Sequence, residues 1–218
     1  MHTVTMQGWS QPIAVGKIVC VARNYAEHAA ELGNPVPEQA VLFIKPASSL
    51  LADGGTVIIP GYARECHHEI ELAVLIGRTG KAITPEQALN NVAGYGVALD
   101  LTLRDVQANL KAKGLPWEIA KGFDTACPLS AFVPAAQVAD PQQLNLRLTV
   151  NGEVRQDGTS AHMLRSVAQL ISEASGYFTL EAGDILLTGT PAGVGPIRSG
   201  DRLEAVIEGV GRLVVSVG

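Results

Sequence analysis

An apolar strand that carries two acids on one face constrains this chain more than any other feature. Residues 67–77 read His-His-Glu-Ile-Glu-Leu-Ala-Val-Leu-Ile-Gly. Val, Ile and Leu dominate the second half and Gly77 closes it, the pattern of a strand. Side chains alternate along a strand, so Glu69 and Glu71 point to the same face. Two neighbouring carboxylates repel each other, and desolvation adds to the cost unless positive charge lies between them. A divalent cation meets that need, and carboxylate oxygens suit Mg²⁺, Mn²⁺ or Ca²⁺. The competing reading is an edge strand whose wet face carries two solvated glutamates, and the remainder of the chain must choose between them.

The chain has 218 residues, 47% of them hydrophobic, enough to build a substantial core in one large domain or two small ones. Net charge is −5 and no long basic run occurs, which gives nucleic-acid binding no support. No apolar run reaches the roughly 20 residues of a membrane span. The opening MHTVTMQGWSQPI lacks the apolar core of a signal peptide. Cys20, Cys66 and Cys127 are odd in number and widely spaced, neither a disulfide framework nor a zinc pattern. A reduced, cytoplasmic setting is expected.

Residues 1–16 read as a short leading segment with an edge strand, and 17–218 as a single catalytic domain. Lys17–Ala22 is a buried strand. Asn24 is expected to cap a helix ending at Gly33, with Glu27 at the capping-box position and Pro35 preventing continuation. At about two turns that helix needs packing or a ligand to be stable, which suits a lid. Val41–Ile44 and Val57–Pro60 are short strands. Thr84–Asn90 is a short helix with Pro85 at its first position. Gly94–Leu101 is a strand, followed by a helix over 102–113 capped by Thr102. Leu144–Gln156 is a hairpin turning at Asn151-Gly152. Met163–Ala174 is an amphipathic helix with Leu164, Val167, Leu170 and Ile171 at core spacing. Asp184–Thr188 is a strand, and Leu203–Ile207 with Leu213–Val217 forms a terminal hairpin. Strands outnumber helices and do not alternate with long ones, so a strand-rich α+β fold is expected rather than a doubly wound sheet.

Asp100 is a third acid in an otherwise apolar strand, where carboxylates are usually paired or metal-bound. It reads either as a third metal ligand or as a cap for the helix that follows. His28 and Glu31 share a face of the short helix. A carboxylate beside an imidazole orients it and raises its basicity, which makes a general base; the alternative is a solvated pair. His67 has the parity of Glu69, while His68 has the opposite parity and reads as a core histidine; neither is chosen as a ligand. Lys45 and Lys121 follow apolar segments and either snorkel or face an anionic substrate. The loop Thr188-Gly-Thr-Pro-Ala-Gly-Val-Gly195 lacks the Gly-Lys-Ser/Thr ending of a P-loop, so nucleotide binding is weakly supported. Its amides and the Thr190 hydroxyl can still hold a carboxylate.

Seven stretches carry a resemblance: RNYAEHAAELG (23–33), LFIKP (42–46), HHEIELAVLIG (67–77), GYGVALDLTLRDVQ (94–107), GLPWEIAKGFDTACPLS (114–130), VNGEVRQDG (150–158) and GDILLTGTPAGVGP (183–196). Together and in this order they resemble the fumarylacetoacetate hydrolase family, in its short acylpyruvase-type branch. The resemblance implies mixed β-sheets rolled into a sandwich with short peripheral helices, and usually a homodimer. It implies that Glu69, Glu71 and Asp100 bind Mg²⁺ or Mn²⁺ and that His28 and Glu31 sit on a lid helix. It places Lys121 and Thr190 in the substrate site. Arg23, Lys45 and Gln107 fall within matching motifs and are carried over as substrate-binding candidates. The large N-terminal domain of the longer eukaryotic hydrolases has no counterpart here, which argues against fumarylacetoacetate itself as substrate.

The expected reaction is C–C cleavage of an acylpyruvate such as fumarylpyruvate or acetylpyruvate. A divalent cation polarises the 2-oxo group, the His28–Glu31 pair activates water against C4, and Lys121 stabilises developing negative charge. Oxaloacetate decarboxylation yields the same enolate of pyruvate and is the alternative, as is tautomerisation or isomerisation of an unsaturated 2-oxo dioate. A passive metal or dicarboxylate binder would need no water-activating base.

Overall fold

The Ile70–Ile76 strand is buried at every position because it runs through the middle of the largest sheet. The computed structural model describes residues 2–31, 33 and 35–218. Across the large sheet the order is Val41–Pro46, Lys17–Ala22, Ile185–Leu187, Ile70–Ile76, Val92–Leu99, Cys127–Leu129, Leu50–Ala52, with Val133–Pro134 also pairing to Val92–Leu99. Ile70–Ile76 is antiparallel to both neighbours, whereas Ile185–Leu187 runs parallel to Lys17–Ala22 and Cys127–Leu129 parallel to Leu50–Ala52. A strand covered on both faces reads as a continuous apolar run rather than an alternation. Glu71 therefore lies in the interior, and the wet-edge reading fails.

The second sheet orders Glu153–Thr159, Asn145–Val150, Arg202–Ile207, Gly211–Val217, Thr56–Val57. Here burial alternates, since one face meets the core and the other meets water. Leu146, Leu148, Leu203, Leu213 and Val215 pack into one cluster with Ile70, Leu72, Val97 and Leu99 of the large sheet. Burying each such side chain contributes roughly 1.5–3 kcal/mol. Asn151 and Gly152 turn the hairpin at φ 53° and 83°, as a two-residue type I′ loop requires.

A third, three-stranded sheet joins Thr102–Leu103, Cys66–His68 and Gly195–Ile197. Three chain segments cross from the large sheet into this one, at Glu69, at Asp100 and through the loop 188–194. The expected single strand over 67–77 is thus broken at Glu69. The Asp100 amide donates to the Glu69 carbonyl at that break, so the two acids sit side by side on the seam between the sheets.

The longer helices are Arg104–Ala112 and Val167–Tyr177, with shorter ones at Ala26–Glu31, Pro85–Ala88 and Glu118–Lys121. Two expected caps serve elsewhere. The buried Asn24 amide donates to the carbonyls of Arg165 and Thr188, and its oxygen accepts from the Arg165 amide, so it ties three segments together. Thr102 lies in a strand and its hydroxyl points to Glu69. The amphipathic helix begins at Val167 instead of Met163 because Ser166 and Gln169 form a reciprocal capping box there. Thr3–Val4 pairs with Ile13–Ala14, and Thr5 and Gln7 bond to Phe132. All three cysteines are free and buried. No helix among the described residues is long and apolar enough to cross a membrane.

Candidate active site and metal centre

Glu69, Glu71 and Asp100 converge at the seam with carboxylate oxygens within 4.8 Å of one another, all three buried. Each acid is held differently. Glu69 accepts from Arg104, from Thr102 Oγ1 at 3.1 Å and from Lys121 Nζ at 3.2 Å. Asp100 lies between Lys121 Nζ, 2.6 Å from Oδ2, and Lys45 Nζ, 2.8 Å from Oδ1. Glu71 has no ion pair among the described residues and accepts from the Gly189 amide at 2.6 Å.

The electrostatics follow from that layout. Burial pushes the Glu69 carboxyl up, but Lys121 and then Arg104 outweigh it and hold the group well below the usual carboxylate range. Burial lowers Lys121, yet Asp100 and Glu69 raise it overall, so it stays an ammonium. Its Nζ also lies 4.8 Å from the centre of the Phe43 ring. Glu71 is driven well above its ordinary value by burial, then by Asp100 and Glu69. It is the acid whose charge the protein leaves least compensated. Asp100 Oδ1 is buried with no hydrogen-bond donor in good geometry among the described residues. An uncompensated Glu71 carboxylate, with oxygens of two further buried carboxylates within 4.8 Å, fits a hard divalent cation bound by all-oxygen donors.

The glycine-rich loop closes the site through the protein's own acids. Its Gly189 amide holds Glu71, while its Gly193 amide lies 3.1 Å from Glu31 Oε1. Both glycines have left-handed φ, +89° and +96°, and a Cβ would come within 2.8 Å of Asn24 Cβ and 2.2 Å of the Arg155 carbonyl oxygen. Glu31 Oε2 is 3.3 Å from His28 Nδ1, so the expected pair forms on the short helix. The cavity of about 50 Å³ is lined by His28, Glu69, Glu71, Asp100, Lys121 and Thr190, together with Arg23, Arg104, Gln107, Lys111 and Trp117. That volume holds a few waters. Arg23 reaches it from a backbone at φ 61°, a strained conformation for a non-glycine residue.

The structure gathers nine of the ten residues expected in the site, Glu31 acting from behind His28. Lys45 differs. Its side chain has no exposed surface, and its ammonium donates to the carbonyls of Leu101, Lys121 and Ala126 besides pairing with Asp100. It lies beneath the acids and does not line the cavity. His67 bonds to Glu65, away from the cluster, and buried His68 bonds to Gln156. Three contributors were not singled out from sequence: Arg104, which pairs with Glu69 and fixes Gln107 by donating to its Oε1 at 2.9 Å; Thr102; and Gln156, which bonds to Thr190. The position of Arg104, four residues after Asp100 at a helix start, was the available signal.

The sandwich with three buried acids at its seam is shared with a known family. The chain belongs to the fumarylacetoacetate hydrolase family: the family model described as fumarylacetoacetate (FAA) hydrolase C-terminal matches residues 17–218. It is 53% identical over 204 residues to oxaloacetate tautomerase YcgM of Escherichia coli (strain K12), covering 93% of each chain. It is 51% identical over 193 residues to the mouse mitochondrial oxaloacetate tautomerase FAHD1, covering 88% of this chain and 87% of that one. The fold superposes with a TM-score of 0.94 on fumarylpyruvate hydrolase from Pseudomonas aeruginosa, solved with Mn²⁺ and pyruvate. That pair is 40% identical, with 99% and 94% of the two chains covered.

Proposed function

We propose that this protein is a divalent-metal-dependent tautomerase of oxaloacetate or a closely similar 2-oxo diacid, working as a homodimer on a small-molecule substrate. The observation that carries the reading is the seam cluster: three buried acids, with protonated Lys121 spanning two of them and His28 at the same cavity. The named activity of the E. coli and mouse relatives supports the choice of diacid. Mg²⁺ or Mn²⁺ would be held by Glu69, Glu71 and Asp100, and when bound supplies Lewis-acid polarisation of a 2-oxo carbonyl.

The chain's own groups then have distinct tasks. Arg23, Arg104 and Lys111 give the cavity wall positive charge suited to carboxylates. His28, oriented by Glu31, takes the proton from C3. Lys121 supplies a proton to the 2-oxo oxygen, so one proton leaves carbon as one arrives on oxygen. The test is the rate at which the enol of oxaloacetate decays to the keto form with and without protein, in Mg²⁺ and in Mn²⁺. No acceleration over the metal ion alone would reject the reading.

A second reading, acylpyruvate hydrolysis, is supported by the fold's likeness to the fumarylpyruvate hydrolase and by the His28–Glu31 pair, which suits activation of water. Release of pyruvate from fumarylpyruvate or acetylpyruvate tests it.

A further inference from the structure

We propose that Gln156 is a positioning residue that fixes the polarity of the Thr190 hydroxyl, making Thr190 a hydrogen-bond donor to an acceptor oxygen of the substrate. The proposal rests on the tautomerase reading only for the identity of that substrate. Gln156 is the sole buried residue of the Glu153–Thr159 strand, opposite Leu148 in the hairpin register. Its Oε1 accepts from the Ile70 amide at 3.0 Å and from His68 Nδ1 at 3.1 Å. A backbone N–H can only donate, so the oxygen end of the amide is fixed there. The nitrogen end must face the other way. Its two hydrogens go to the Pro191 carbonyl at 2.9 Å and to Thr190 Oγ1 at 2.8 Å.

All four bonding positions of the Gln156 amide are thereby filled, and none can accept a proton from Thr190. The hydroxyl receives a bond from Gln156 and, among the described residues, donates none. Thr190 is 2% exposed and lines the same cavity as Glu71, Lys121 and His28. Its proton is therefore left for whatever occupies that cavity. A freely rotating hydroxyl would serve a donor or an acceptor equally; a polarised one discriminates in favour of carboxylate and carbonyl oxygens. The same chain of bonds assigns the His68 tautomer with its proton on Nδ1.

Two measurements decide the matter. Neutron diffraction from crystals exchanged into D₂O should show the Thr190 deuteron directed into the cavity and two deuterons on the Gln156 nitrogen. A deuteron on Thr190 aimed at Gln156 overturns the proposal. Calorimetry with oxalate as probe, in saturating Mg²⁺, supplies the second. Gln156→Glu places an acceptor beside Thr190, draws its proton away from the cavity, and should weaken oxalate roughly 10- to 100-fold, the range for one hydrogen bond to a charged group. Thr190→Val should weaken it by a similar factor, and the double variant by no more than the larger single loss. Losses that multiply would mean that Gln156 acts independently of Thr190 and would overturn the proposal. Gln156→Met covers the case in which the glutamate variant does not fold. It frees the hydroxyl to rotate, so its loss should be smaller than that of Thr190→Val; an equal or larger loss counts against polarity control. Failure of the wild-type protein to bind oxalate would reject the 2-oxo diacid reading, while the neutron result would still decide the orientation of Thr190.

Discussion

Lys45 Nζ lies 2.8 Å from Asp100 Oδ1, and neither side chain has more than 1% of its surface in water. The same ammonium donates to three backbone carbonyls that converge on it from separate segments. It neutralises Asp100 from behind and joins the segments that carry Leu101, Lys121 and Ala126. Lys45→Met should therefore lower stability by about 3–5 kcal/mol, as expected when one partner of a buried charge pair is removed. Denaturant unfolding measures the loss. A change below about 1 kcal/mol would mean that water fills the gap and solvates the carbonyls.

Metal-free protein should become more stable when Glu71 is neutralised. Burial, Asp100 and Glu69 hold this carboxyl above its ordinary 4.5, so the folded chain binds the proton more tightly than the unfolded chain does. Rising pH between 4.5 and the raised folded value then favours unfolding. Glu71→Gln removes that titration. In EDTA the variant should melt above the wild type, with a gap that is absent below pH 4.5 and widens as pH rises. Added Mg²⁺ or Mn²⁺ should stabilise the wild type and leave the variant's Tm nearly unchanged. Equal stabilisation of both by the cation would remove Glu71 from the metal site.

His28→Ala separates the reactions this site can run. Tautomerisation needs a base at C3 and hydrolysis needs a base for water, so kcat/KM for both should fall roughly 10²–10⁴-fold. Oxaloacetate decarboxylation removes no proton in its bond-breaking step and should fall much less. Glu31→Ala should follow His28→Ala, since Glu31 lies 3.3 Å from its Nδ1. Equal losses in all three reactions would reassign the pair to substrate positioning.

Assembly is tested by light scattering. Tyr62 and Ile119 are 59% and 60% exposed, and they line one groove with Pro46 and Phe123. An apolar surface of this kind on a soluble protein is usually covered. The expected mass is twice that of one chain, and Ile119→Asp should reduce it toward the monomer. A monomeric wild type at micromolar concentration would contradict the homodimer.

The parts of this molecule that were legible in its sequence are those set by local rules. The Asn151-Gly152 turn follows from the φ each residue tolerates, and the Lys17–Ala22 strand from its apolar run. The pairing of Glu69 with Glu71 followed from the two-residue period of a strand, even though the chain changes sheets at Glu69. What sequence could not supply were partners far along the chain. Asn24 and Thr102 have the short polar side chains of helix caps and stand just ahead of helices. Their bonds instead go to Arg165, Thr188 and Glu69, which no local pattern reveals. Gln156 is one polar residue in a polar hairpin strand until residues 70 and 190 are brought to it. Lys45 shows the converse: it falls within a matching motif, yet the structure buries it against Asp100 and three backbone carbonyls, out of the cavity wall.

The loop between Gly189 and Gly193 has its amides occupied by Glu71 at one end and Glu31 at the other. For inhibitor design this means that the anion-binding backbone is already self-occupied. An acidic fragment aimed at the Gly193 amide competes with a tethered glutamate at high effective concentration, and its success would leave His28 without its orienting partner. Such a compound would act as a crowbar on the helix rather than as a substrate mimic, and its potency would depend on how readily Glu31 gives way.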